Sequence, residues 1–149
     1  MELVSFKLKG LEQLLKSFSK RHDKLKNNKS AYAACVIEVD KWTQNNFKTE
    51  GGNVGGWQPL SPRTLEARRH GKGSHSTKIL QDTGSLKGHW KSFWDNNNGY
   101  FQSMTDYGQV HDQGSSKKNI PQRRIIPLPE EMKDKFKEIF SNFIKKALS

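Results

Sequence analysis

The chain has 149 residues, with 26 Lys and Arg against 15 Asp and Glu and a formal net charge of +11. That length suits a single domain over residues 1–149 with one modest core, and four Trp and eight Phe exclude a wholly disordered chain. The lone cysteine, Cys35, excludes an intrachain disulfide, and no run approaches the ~20 apolar residues of a membrane-spanning helix.

From the N-terminus, residues 1–7 lack the apolar run of a signal peptide, so the expectation is a soluble protein made in the cytoplasm. Residues 3–7 alternate apolar and polar, as a short strand does, and Gly10 closes it. Leu11, Leu14, Leu15, Phe18 and Leu25 then fall at helical spacing. The cluster at 27–30 breaks that helix and offers Ser30 as the next N-cap. Tyr32, Cys35, Val36, Val39, Trp42 and Thr43 form a second stripe ending near Phe47, which completes a helical hairpin. Four glycines within 51–56 predict a segment without regular structure. Mobile loops are expected at about 49–57 and 69–78.

Residues 57–62 are stiffened by two prolines, and Ser61 with Pro62 predicts a short helix running from about 63 to 69. Trp57, Pro59 and Leu60 make an apolar hook that packs either under a neighbouring subunit or on the chain's own core. From His89 the period becomes two, and Asn98-Gly99 predicts a type I′ hairpin with a return strand over 100–106. Residues 124–126 read as another short strand. Pro129, the pair Glu130 and Glu131, and the stripe Met132, Phe136, Ile139, Phe140, Phe143 and Ile144 mark a closing helix, with Lys145 and Lys146 at its negative end. The fold class is therefore α+β: an N-terminal helical hairpin and a C-terminal helix packed on a small antiparallel sheet, with long loops.

The parts of a catalytic site are missing. The five histidines, His22, His70, His75, His89 and His111, lack a second cysteine or a carboxylate pair at metal-ligand spacing. No metal or cofactor is expected, and loop histidines are expected to be exposed. The glycines at 51–56 lack the Gly-Lys-Ser/Thr of a phosphate loop. His111-Asp112 has no serine in a nucleophile elbow to serve. Cys35, on an apolar face, reads as a small core residue. The expectation is a protein that is not an enzyme. Two basic sets, Arg63, Arg68 and Arg69 and then Lys117, Lys118, Arg123 and Arg124, suit a phosphate or an acidic partner surface. No helix-turn-helix, zinc-finger or RNP signature accompanies them. A non-specific nucleic-acid-binding protein therefore stands as one reading of these sets.

Four ordered segments resemble the phage virion morphogenesis family, which includes tail completion proteins. They are Trp57-Gln58-Pro59-Leu60-Ser61 with Thr64 and Arg68, then Ile79-Leu80-Gln81-Asp82-Thr83-Gly84-Ser85-Leu86. Tyr107-Gly108-Gln109-Val110-His111-Asp112-Gln113-Gly114 and Ile120-Pro121-Gln122-Arg123-Arg124-Ile125-Ile126-Pro127-Leu128 follow. Gln122 stands where the family has a small residue, and Arg124-Ile125-Ile126 replaces its Pro-Phe-Leu. The resemblance implies a structural tail completion or tail terminator subunit that forms a ring, hexameric in the usual tail symmetry, at the head–tail junction. Its implied partners are copies of itself, other neck and tail proteins and the packaged DNA, with no membrane. It implies structural roles for Trp57, Pro59, Leu60, Ser61, Thr64, Leu80, Thr83, Gly84, Leu86, Tyr107, His111, Gly114 and Pro121.

Overall fold

The computed structural model describes residues 5–7, 27–71 and 75–149. The first helix expected for the hairpin, with Leu11, Leu14, Leu15, Phe18 and Leu25, lies outside them, as do His22 and part of the 69–78 loop. The elements in order are β1 (Ser5–Lys7), α1 (Lys29–Lys48), α2 (Pro62–His70), α3 (Ser85–Gly88), β2 (Trp90–Trp94), β3 (Gly99–Ser103), α4 (Gly108–Gln113) and α5 (Pro129–Leu148). The class is α+β, as the sequence predicts.

The three strands pair antiparallel in the order β1-β3-β2, with Phe6 opposite Phe101 and Phe93 opposite Tyr100. α1 buries Ala31, Tyr32, Cys35, Val36, Val39, Thr43, Asn46 and Phe47, one stripe at helical spacing. α5 buries Met132, Phe136, Phe140 and Ile144. These stripes close on Phe101 of β3 to form the first core cluster, in which the Tyr32 and Phe140 rings meet edge-on at 5.3 Å. Full burial of each such phenylalanine contributes about 1.5–3 kcal/mol. A second cluster gathers Phe47, Trp57, Leu80, Leu86 and Ile125. Trp90 packs against both clusters, stacked on Phe101 at 4.9 Å.

Four local expectations are corrected. Ser30 is not the N-cap, because α1 already begins at Lys29. The Asn28 carbonyl accepts from the amides of Ala31 and Tyr32, and Asn27 Oδ1 accepts from the Lys29 amide. The hairpin is not a type I′ turn on Asn98-Gly99, since neither residue has positive φ. Asp95 instead accepts from the amides of Asn97 and Asn98 (2.7 and 2.8 Å), so a side chain shapes the turn and Gly99 enters β3. The glycine-rich segment does hold structure, a 3-10 turn over Gly52–Val54. Gly51 (φ +92°) and Gly55 (φ +84°) bracket that turn, and Asn53 Nδ2 donates to the Trp42 carbonyl at 2.8 Å.

The fourth correction concerns residues 124–126, which join no strand. The Asp112 carboxylate accepts from the amides of Ile125 (2.6 Å) and Ile126 (3.3 Å), partners that a ladder would otherwise supply. Among the described residues no helix is long and apolar enough to cross a membrane.

Candidate functional site

A cleft of about 430 Å³ opens where the four ordered segments meet. Its first wall comes from the stretch before α2 and from α2 itself. Trp57 is buried, edge-on to Phe47 at 5.4 Å, and its Nε1 donates to the Arg124 carbonyl at 2.9 Å. The hook therefore packs on the chain's own core, and this anchor fixes where Pro59 and Leu60 emerge into the cleft. Ser61 caps α2 by accepting from the Thr64 amide at 3.1 Å, and the two hydroxyls bond each other at 2.8 Å. Both line the cleft.

The second wall is the 79–86 segment. Leu80 is buried in a left-handed conformation (φ +57°), which turns the chain towards Asp82, Thr83 and Gly84. Thr83 Oγ1 accepts from the Ser85 amide at 3.3 Å, which shapes the turn into α3 and leads to the buried Leu86. Arg68 reaches across from α2: one guanidinium nitrogen donates to the carbonyls of Ser76 (3.1 Å) and Lys78 (2.8 Å), and Nε lies 3.9 Å from Asp82.

The remaining walls come from α4 and the 119–123 segment. Tyr107 is 44% exposed, edge-on to His111 at 6.1 Å. His111 sits on α4, half-buried, against the expectation of an exposed loop histidine. Its Nδ1 is buried without a hydrogen-bond partner among the described residues. Burial, and then the neighbouring Arg123, lowers its pKa below the usual 6.5 and favours the neutral ring. Gly114 ends α4 with φ +77°, and a Cβ there would meet the Gln122 amide nitrogen at 2.8 Å. The turn it makes carries Asn119, Ile120 and Pro121 to the rim.

Of the motif residues, all but Trp57 and Gly114 line this one cleft, and those two hold its walls from behind. The basic residues do not gather in the same way. Arg123 is only 6% exposed; its Nε donates to the Gln58 carbonyl (2.9 Å) and its fork to the Pro59 carbonyl (3.2 Å). Arg124 pairs with Glu131 through both nitrogens of its fork and lies 5.7 Å over the Trp42 ring. Arg63 and Arg69 are exposed on α2, with Arg69 4.0 Å from Glu66. Lys117 and Lys118 are exposed on a 3-10 turn. Only Arg68 and Arg123 reach the cleft.

The cleft presents hydroxyls, guanidinium groups and apolar side chains along its walls. Ser61 bonds Thr64 rather than a base, and burial pushes the Cys35 thiol up to about 12, where the reactive thiolate is absent. Among the described residues no group of three His, Cys, Asp or Glu stands together as a metal site.

Two residues that shape the site escaped the sequence reading. Asp112 ties the 124–126 segment to α4, and its only signal was a carboxylate beside the cleft histidine. Asn46 is fully buried and donates to the carbonyls of Arg124 and Ile125; a polar residue inside an apolar helical stripe was the visible signal.

A family model described as the phage virion morphogenesis family matches residues 6–145. No curated protein and no solved structure matches the chain.

Proposed function

The chain belongs to the phage virion morphogenesis family, and from that premise we propose that it is a tail completion or tail terminator subunit acting in a ring at the head–tail junction. The membership itself carries a structural role in virion assembly beside other virion proteins. The observation that supports the finer reading is the convergence of all four motif segments on one cleft whose groups bond one another rather than forming a nucleophile and base. A site shaped by packing, caps and turns fits a surface that docks a partner.

A closed ring built from one kind of subunit joins two different, complementary faces of each copy and leaves the cleft for another virion protein. In this reading the subunit is made in the host cytoplasm and carried in the virion at the neck or the top of the tail. Six copies in a hexameric ring match the usual tail symmetry. Of the two basic sets, the exposed Arg63, Arg69, Lys117 and Lys118 are the members placed to face packaged DNA or an acidic neighbour.

The test is negative-stain microscopy of particles from a phage whose copy of this gene carries an early stop codon. Filled heads beside unjoined tails are expected, and normal infectious particles would overturn the role. Non-specific nucleic-acid binding is the second reading, favoured by those four exposed cations. It requires the isolated chain to bind duplex DNA with an affinity that falls steeply with salt.

A further inference from the structure

Two guanidinium groups and a single carboxylate line the cleft. Arg123 is buried, and its described hydrogen bonds go to two backbone carbonyls, with no carboxylate among them. The charged neighbour that acts on it most is Arg68, of the same sign, and burial with that repulsion lowers the Arg123 pKa. His111 is biased towards its neutral form by burial first and then by Arg123. Against these stands one carboxylate in the lining, Asp82, 3.9 Å from Arg68 Nε. A cation taken out of water and held by neutral dipoles alone is costly, and an incoming carboxylate would offset that cost through charge-assisted hydrogen bonds.

The shape narrows the ligand. A volume of about 430 Å³ lies in the range of cavities that enclose small ligands or the side chains of a short segment. Pro59, Leu60, Ile120 and Pro121 give it stiff apolar walls, while the hydroxyls of Thr64 and Thr83 can meet a peptide backbone. We propose that this cleft docks an extended acidic segment of another virion protein, seating one of its carboxylates against Arg68 and Arg123. The assignment rests on the assembly role proposed above. A second copy of this chain is a poor occupant, because each copy carries a net +11 and like charge opposes self-docking at a cationic cleft. A DNA duplex is a poor occupant too, because its phosphates track an open groove, and the exposed Lys117 and Lys118 stand outside the lining.

The experiment measures binding of the full chain, by fluorescence anisotropy, to short end-blocked peptides tiling the neck and tail proteins of the same phage. Binding is expected for a peptide containing Asp or Glu and is expected to fall about tenfold when that residue becomes its amide. Thr64→Glu places a carboxylate four residues before Arg68 on α2, at the spacing of a helical ion pair, and so fills the site from within. It is expected to weaken binding about tenfold more than Thr64→Gln, which loses the same hydroxyl without adding a charge. Thr83→Glu, at an exposed rim position, repeats the test without touching α2.

The proposal is overturned if no peptide binds, if amide substitution has no effect, or if both Glu variants bind as the parent does. It is also overturned if the Glu variants abolish self-association in sedimentation, or duplex binding in anisotropy, and leave peptide binding intact. The assembly role fails separately. Normal particles from the stop-codon phage, with peptide binding intact, would sink the role and keep the site, while unjoined particles with no peptide binding would sink the site alone.

Discussion

Replacing Arg123 separates its role inside the fold from any contact it makes outside. Its Nε and one fork nitrogen tie the 123 position to the carbonyls of Gln58 (2.9 Å) and Pro59 (3.2 Å), closing the cleft between segments more than sixty positions apart. Hydrogen bonds to a charged donor are each worth about 1.5–3 kcal/mol net. Gln58 and Pro59 are exposed, so their carbonyls recover part of that from water, and removing the cation also removes its desolvation cost. We expect Arg123→Met to lose about 2–4 kcal/mol, a fall in Tm on the order of 6–12 °C for a domain of this size.

Arg123→Lys should fall between, because an ammonium cannot reproduce the fork's two fixed directions. Urea unfolding followed by tryptophan fluorescence, with the slope checked for two-state behaviour, measures both. An Arg123→Met protein within ~0.5 kcal/mol of the parent, the size of an ordinary surface change, would refute the structural role. It would return Arg123 to the set of free cations. Charge reversal at Arg123 or Arg124 therefore reports on folding before it reports on particle joining, and within the two basic sets Arg63, Lys117 and Lys118 give the cleaner test of an exposed basic contact.

Three further outcomes follow from the same contacts. Gly114→Ala sets a side chain at φ +77° and 2.8 Å from the Gln122 amide nitrogen, so a loss of about 1–3 kcal/mol is expected in urea unfolding. Trp57→Phe keeps a ring against Phe47 and, because Asn46 also donates to the Arg124 carbonyl, should cost only about 1–2 kcal/mol. Trp57→Ala should instead cost ~3–5 kcal/mol, and equal losses for the two variants would contradict the packing described. In the Arg124–Glu131 pair, the guanidinium holds the Glu131 carboxyl below its usual 4.5, so the pair's contribution is full above pH 4.5 and fades as pH falls through the lower folded value. Glu131→Gln, at this partly exposed site, should lower stability by about 1 kcal/mol at pH 7, with the difference from the parent disappearing in acid.

Local chemistry determined much of this protein. The apolar stripes of α1 and α5, Ser61 with Pro62 at the start of α2, and Pro129 with its glutamates all act within a few residues of themselves, so spacing alone was enough to read them. The four motif segments were likewise visible in order along the chain. Tertiary structure alone decided that they meet. Pro59, Thr83, His111 and Pro121 share one cleft because Trp57, Asp112 and Arg123 tie distant segments together, and no local period encodes such ties.

The same physics explains the corrections. Residues 124–126 have strand composition, but the Asp112 carboxylate takes two of their amides. Asn98-Gly99 offers a type I′ turn, but the nearby Asp95 side chain accepts from the amides of Asn97 and Asn98 and shapes the loop instead. Arginine counts announce a basic protein, while burial decides which guanidinium faces solvent. Arg123 went inside because two carbonyls were waiting for its fork.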